Sequence, residues 1–89
     1  MMKEIRYSPQ FTRYYKQRIA KDKSLKREYQ ESIEAFLVNR MLVNDHALEN
    51  VMQGKRAFSI NNDYRVIYLE RDEYYLFIDV GTHEQIYRR

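Results

Sequence analysis

Residues 57–81 read AFSINNDYRVIYLERDEYYLFIDVG, and this stretch decides the fold. Phe58 and Ile60 alternate with Ala57 and Ser59, Asn61-Asn62-Asp63 supplies turn chemistry, and Tyr64 to Glu70 is rich in aromatic and β-branched residues. That pattern predicts a β-hairpin. Arg71-Asp72-Glu73 makes a second polar turn before Tyr74 to Val80, and Gly81 closes that third strand ahead of a polar tail, Thr82 to Arg89. Toward the amino terminus, Met41 to Gly54 has weak periodicity and holds Asn44, Asp45 and His46, which predicts a connecting loop with one helical turn. Before it, Leu25, Tyr29, Ile33, Phe36, Leu37 and Arg40 recur at helical spacing, predicting a helix from a Ser24 cap to about Asn39. Phe11, Tyr14, Tyr15, Arg18 and Ile19 predict another from Ser8-Pro9 to about Ala20, with Asp22 to Ser24 as the turn between them. Lys3 to Tyr7 alternates at period two and reads as a short edge strand. The order β-α-α-β-β-β predicts an α+β fold in which a helix hairpin covers one face of an antiparallel sheet.

Composition narrows the function classes. A chain of 89 residues has room for one hydrophobic core, so a single domain spanning 1–89 is expected. The longest apolar runs are four or five residues, far short of the roughly 18 that a membrane span needs, and no secretory leader follows Met1-Met2-Lys3. A cytoplasmic protein is expected. Zero cysteines exclude disulfides and thiol chemistry, and the two histidines, His46 and His83, lack metal-ligand spacing, so neither metal nor cofactor is expected. The formal charge of +3 is unevenly placed: residues 1–31 carry nine Lys or Arg against four acids. A basic segment is the footprint of a polyanion partner, although a solvated helical face looks the same on charge alone.

Hairpin arithmetic predicts which side chains share a face. If Asn61–Asp63 is a three-residue loop, Ser59 opposes Arg65; if Arg71–Glu73 is another, Glu70 opposes Tyr74 and Arg65 opposes Asp79. Phe58, Ile60, Tyr64, Val66, Tyr68, Leu76 and Ile78 then share the helix-covered face, while Ser59, Arg65 and Asp79 form one outward row that His83 can extend if the tail stays extended. In that arrangement Asp79 pairs with Arg65 and repels phosphate, so Asp79→Asn is expected to raise activity on a polyanion.

The segment Asp63-Tyr64-Arg65-Val66-Ile67-Tyr68, followed by Asp79-Val80-Gly81-Thr82-His83-Glu84-Gln85-Ile86-Tyr87, resembles the RelE/ParE superfamily of toxin–antitoxin toxins, and is most similar to its YafQ-like members. The resemblance implies a microbial ribonuclease that cleaves mRNA on the ribosome and is silenced by a cognate antitoxin protein. It also implies residue roles: His46 in acid/base work, Asp63 as the turn aspartate, Arg65 as the phosphate-holding strand arginine, His83 as general acid, and Tyr87 as the aromatic that stacks on or orients a base. Ser59 and Asp79 depart from the YafQ pattern, which has histidine and arginine there.

The residue types fit that chemistry. RNA is cut without metal when its 2′-hydroxyl attacks the adjacent phosphate, which needs a base, an acid and a cation. His46 or Asp63 can accept the proton, His83 can donate one, and Arg65 can stabilise the phosphorane. Arg13, Lys16, Lys21, Lys23, Lys26 and Arg27, with Lys55 and Arg56, are expected to contact mRNA or ribosomal RNA. Each of these residues also has an ordinary structural role open to it: turn former for Asp63, cross-strand partner for Arg65, packing aromatic for Tyr87. A second class stays open, a ParE-like inhibitor of DNA gyrase or a non-catalytic regulator bound to its antitoxin.

Overall fold

The computed structural model describes residues 3–87. In chain order the elements are β1 (Glu4–Tyr7), α1 (Pro9–Arg18), α2 (Lys23–Val38), β2 (His46–Ala47), β3 (Arg56–Ser59), β4 (Tyr64–Glu70), β5 (Tyr74–Thr82) and α3 (His83–Tyr87). Two 3-10 turns, Arg40–Val43 and Asn50–Met52, flank β2. The segment 41–54, expected as a loop, therefore adds a two-residue edge strand to the sheet. Among the described residues no helix is long and apolar enough to cross a membrane.

Ser8 starts α1 as expected: its Oγ accepts the Phe11 amide hydrogen at 3.0 Å, and Pro9 fills the first turn. For α2 the cap is Asp22, not Ser24, with Oδ1 accepting from the Leu25 amide at 3.1 Å. A carboxylate there also meets the positive end of the helix dipole.

The sheet order is β1-β5-β4-β3-β2. β1 lies at the edge as expected but runs parallel to β5, so the sheet is mixed and not antiparallel throughout. The β3–β4 register is the expected one, with Ser59 opposite Arg65. The β4–β5 register is not. Glu70 opposes Tyr75, a bulge intervenes at Ile78, and beyond it Ile67 opposes Asp79 and Arg65 opposes Gly81. The bulge sits where the edge of β5 passes from β1 to α1. At that point the Ile78 carbonyl accepts from Gln10 Nε2 at 3.0 Å, the Val80 carbonyl accepts from Arg18 Nη1 at 2.9 Å, and side chains of α1 replace a strand neighbour.

As a result Tyr75 and Phe77, not Leu76 and Ile78, share the helix-covered face with Phe58, Ile60, Val66 and Tyr68. The core there is aromatic: Phe36 of α2 stacks on Phe58 at 4.6 Å and meets Tyr68 edge-on at 5.1 Å. The opposite face carries a smaller cluster of Ala57, Ile67 and Ile86, with Leu48, Met52, Ile78 and Tyr87 against it.

Candidate active site

Arg65 stands on β4 on the face away from the helix hairpin, one row from the end of the sheet. Across from it on β3 is Ser59, and on β5 is Gly81. The side chains of Gln85 and Arg18 close over Gly81: a Cβ there would lie 2.7 Å from Gln85 Oε1 and 2.8 Å from Arg18 Nη1. The Nε of Arg65 is buried and has no hydrogen-bond partner in the protein, and among the described residues no carboxylate lies within ion-pair distance. A buried cationic donor without a partner favours an incoming anion.

His83 is placed by a device readable in Thr82-His83-Glu84-Gln85. The Thr82 Oγ1 accepts the Gln85 amide hydrogen at 3.2 Å, and Gln85 Oε1 accepts the Thr82 amide hydrogen at 2.9 Å. This reciprocal capping box starts α3 within the stretch expected as a polar tail, 82–89; Arg88 and Arg89 lie outside the described residues. His83 is exposed, and its ring lies 4.6 Å from that of Tyr87, one helical turn on. The β3–β4 turn is fixed by Asn61 Oδ1, which accepts from the Asp63 and Tyr64 amides, each at 2.8 Å. These elements bring Asp63, Arg65 and His83 onto one open cavity of 430 Å³, lined also by Tyr64, Thr82 and Glu84.

His46 lies outside that cavity. On β2 it opposes Ala57, which puts it on the same sheet face as Arg65, about 12 Å away by ordinary strand spacing and rise. A second open groove, of 530 Å³, adjoins Arg65: Asn44, Ser59, Asn62 and Arg65 line it, along with Glu28 and Glu31 of α2, and neither histidine does. Arg65 thus stands between His46 on the β2 side and His83 on the β5 side.

Of the basic residues expected to meet RNA, Arg13, Lys16, Lys21, Lys23, Lys26 and Arg27 are all exposed on the helix hairpin, behind the sheet as seen from Arg65. Helix α1 carries no acid at all. Lys55 is on the Arg65 side of the sheet, lining a 340 Å³ cavity with Tyr87. Arg56 is the exception to the expectation: it opposes Tyr68 on the helix-covered face, and its guanidinium is held by Asp45, with Nη2 donating at 2.5 Å. Strand parity turns it away from the groove.

Asp79 also departs from expectation. It is 5% exposed, lies opposite Ile67, accepts the Val80 amide hydrogen at 2.8 Å and faces Arg18 Nη1 at 3.6 Å. The bulge separates it from Arg65, so the inhibitory pair inferred from simple hairpin arithmetic does not form. Two features escaped the sequence reading: Arg18, whose reach to β5 spans 62 positions, and the Asp45–Arg56–Tyr68 cluster.

Residues 3–88 match the sequence profile of a family described as the YafQ bacterial toxin of type II toxin–antitoxin systems. No curated protein matches the chain. Among solved structures the fold is similar to that of YafQ from E. coli strain BL21(DE3), at 23% identity and a TM-score of 0.74, over 96% of this chain and 98% of that one. It is similar to a chain of the E. coli DinJ-YafQ complex at 26% identity and a TM-score of 0.71, with the same two coverages. A chain of the RelBE2 toxin–antitoxin complex of Mycobacterium tuberculosis aligns at 13% identity and a TM-score of 0.71, over 93% of this chain and all of that one.

Proposed function

The chain belongs to the YafQ family of bacterial toxins of type II toxin–antitoxin systems, and from that premise we propose that it is a metal-independent endoribonuclease acting on mRNA at the ribosome. The observation that carries this reading is Arg65: a guanidinium with a buried, partnerless Nε, sharing its cavity with His83, while His46 stands two strands away on the same sheet face. Displacement at phosphorus runs in line, so the groups that deprotonate the attacking oxygen and protonate the leaving oxygen belong on opposite sides of the phosphate.

With a phosphate on Arg65, His46 accepts the 2′-hydroxyl proton as the 2′-oxygen bonds to phosphorus. The bond from phosphorus to the 5′-oxygen breaks, and His83 protonates that oxygen. The products are a 2′,3′-cyclic phosphate and a free 5′-hydroxyl. Arg65 stabilises the charge on the phosphorane. Asp63, in the His83 cavity, is the second proton acceptor, and Tyr87 braces the His83 ring and offers a stacking face to a base.

The exposed lysines and arginines of the helix hairpin supply contacts to ribosomal RNA in this reading, and the site of action is the cytoplasm. A cognate antitoxin protein is the expected partner, as in the two complexes to which the fold is similar. Purified ribosomes programmed with a defined mRNA provide the test: primer extension should reveal new 5′ ends with the wild-type chain and none with Arg65→Ala. Intact mRNA, with DNA breaks in cells expressing the chain, would replace this reading with gyrase inhibition.

A further inference from the structure

The segment that carries His46, residues 40–47, has only two residues in the sheet and no helix beyond one 3-10 turn. A stretch with so little backbone pairing is mobile unless side chains hold it. Asp45 holds it. Its carboxylate, 4% exposed, accepts from Arg56 Nη2 at 2.5 Å and Nε at 3.2 Å, accepts the Tyr68 hydroxyl hydrogen, and faces Arg40 Nε at 3.7 Å. Arg40 is tied in turn to Glu70 at 3.1 Å, and Glu70 to Lys3 at 3.0 Å. Apolar residues anchor a segment at least as tightly as buried ions do, so what this cluster adds is direction.

The direction appears one residue earlier. Asn44 has φ 55° and ψ 39°, a left-handed backbone that points its carbonyl at Nδ1 of His46, 2.8 Å away. A carbonyl only accepts, so Nδ1 carries the hydrogen, and in the neutral ring the lone pair is then on Nε2. Among the described residues Nε2 has no hydrogen-bond partner.

We propose that Asp45 is a positioning residue: by fixing the 40–47 segment it keeps the Asn44 carbonyl on His46 Nδ1, so that His46 waits in the tautomer whose Nε2 accepts the 2′-hydroxyl proton. This rests on the ribonuclease reading above for the proton's identity. The tautomer itself does not.

Asp45→Asn preserves shape and removes the charge, and Tyr68→Phe removes one of the bonds to Asp45 with little change of shape. The imidazole nitrogen NMR shifts of His46, recorded at about pH 8 where an ordinary imidazole is neutral, should report hydrogen on Nδ1 in the wild type. They should move toward the other tautomer in Asp45→Asn, and part of the way in Tyr68→Phe, which carries the test if Asp45→Asn does not fold. Cleavage of ribosome-bound mRNA, measured where circular dichroism shows a folded chain, should fall about 10- to 100-fold in Asp45→Asn. In a His46→Ala background the same change should alter cleavage less than about twofold. Hydrogen on Nε2 in the wild type, or an equal loss of cleavage with and without His46, overturns the proposal. If the tautomer shifts as described in a wild type that cuts no mRNA, the positioning role stands and the ribonuclease reading falls.

Discussion

Arg65→Met sets function against stability in one substitution. The variant retains the apolar stem that packs on the sheet and deletes the guanidinium. In the wild type the buried Nε lacks a protein partner, and a buried donor left unsatisfied costs about 1–3 kcal/mol. Because Arg65 as a whole is only partly buried, the gain from removing its guanidinium should fall at the lower end, about 1 kcal/mol. For a domain of this size that lifts Tm by about 4–8 °C. Melting followed by circular dichroism, with and without inorganic phosphate, measures both halves of the argument. Phosphate should raise the wild-type Tm by filling the site and leave that of Arg65→Met unchanged. Cleavage of ribosome-bound mRNA should vanish in the variant. A variant that melts below the wild type, or that phosphate still stabilises, refutes the assignment of Arg65 as an uncompensated anion receptor.

Three other outcomes are expected. His83→Ala should retain the wild-type Tm, because His83 is exposed, and should lower mRNA cleavage by about 10² to 10⁴-fold; full toxicity in a folded variant would remove His83 from the mechanism. Asp79→Asn should destabilise by about 1–3 kcal/mol in urea titrations and should not raise cleavage, since its carboxylate serves Arg18 and the Val80 amide. Tyr68 and Tyr29 have hydroxyl pKa values pushed above the ordinary tyrosine value, chiefly by burial. Their neutral forms are therefore favoured in the fold, so the stability they lend is complete below about pH 10 and is lost as pH rises beyond it. A denaturant midpoint that stays flat from pH 9 to about pH 12 would contradict this.

What could be read from the chain follows how local its causes are. Asn61 fixes its turn through its own side chain, so the pairing of Ser59 with Arg65 was legible to the residue. The Thr82–Gln85 box is equally local and present in the letters, although a polar tail without a helix is what the composition there suggests. The β4–β5 register failed because its bulge answers to Gln10 and Arg18, more than sixty positions away. The direction of β1 failed likewise, since alternation marks a strand without saying which way its neighbour runs. Arg65 and His83 came together despite the wrong register, because the bulge moved Asp79 away and left Gly81 opposite the arginine.

The place of β5 in the sheet has a consequence for synthesis. Of the five described strands it is made last, yet it lies between β1, made first, and β4. On a translating ribosome the sheet stays open along its middle until residues 74–82 have emerged, and His83 follows directly behind them. Long-range closure of this kind is slow and comes late. Arg65 and His83 are thus brought onto one cavity only once β5 has joined the sheet, after the other four described strands have been made.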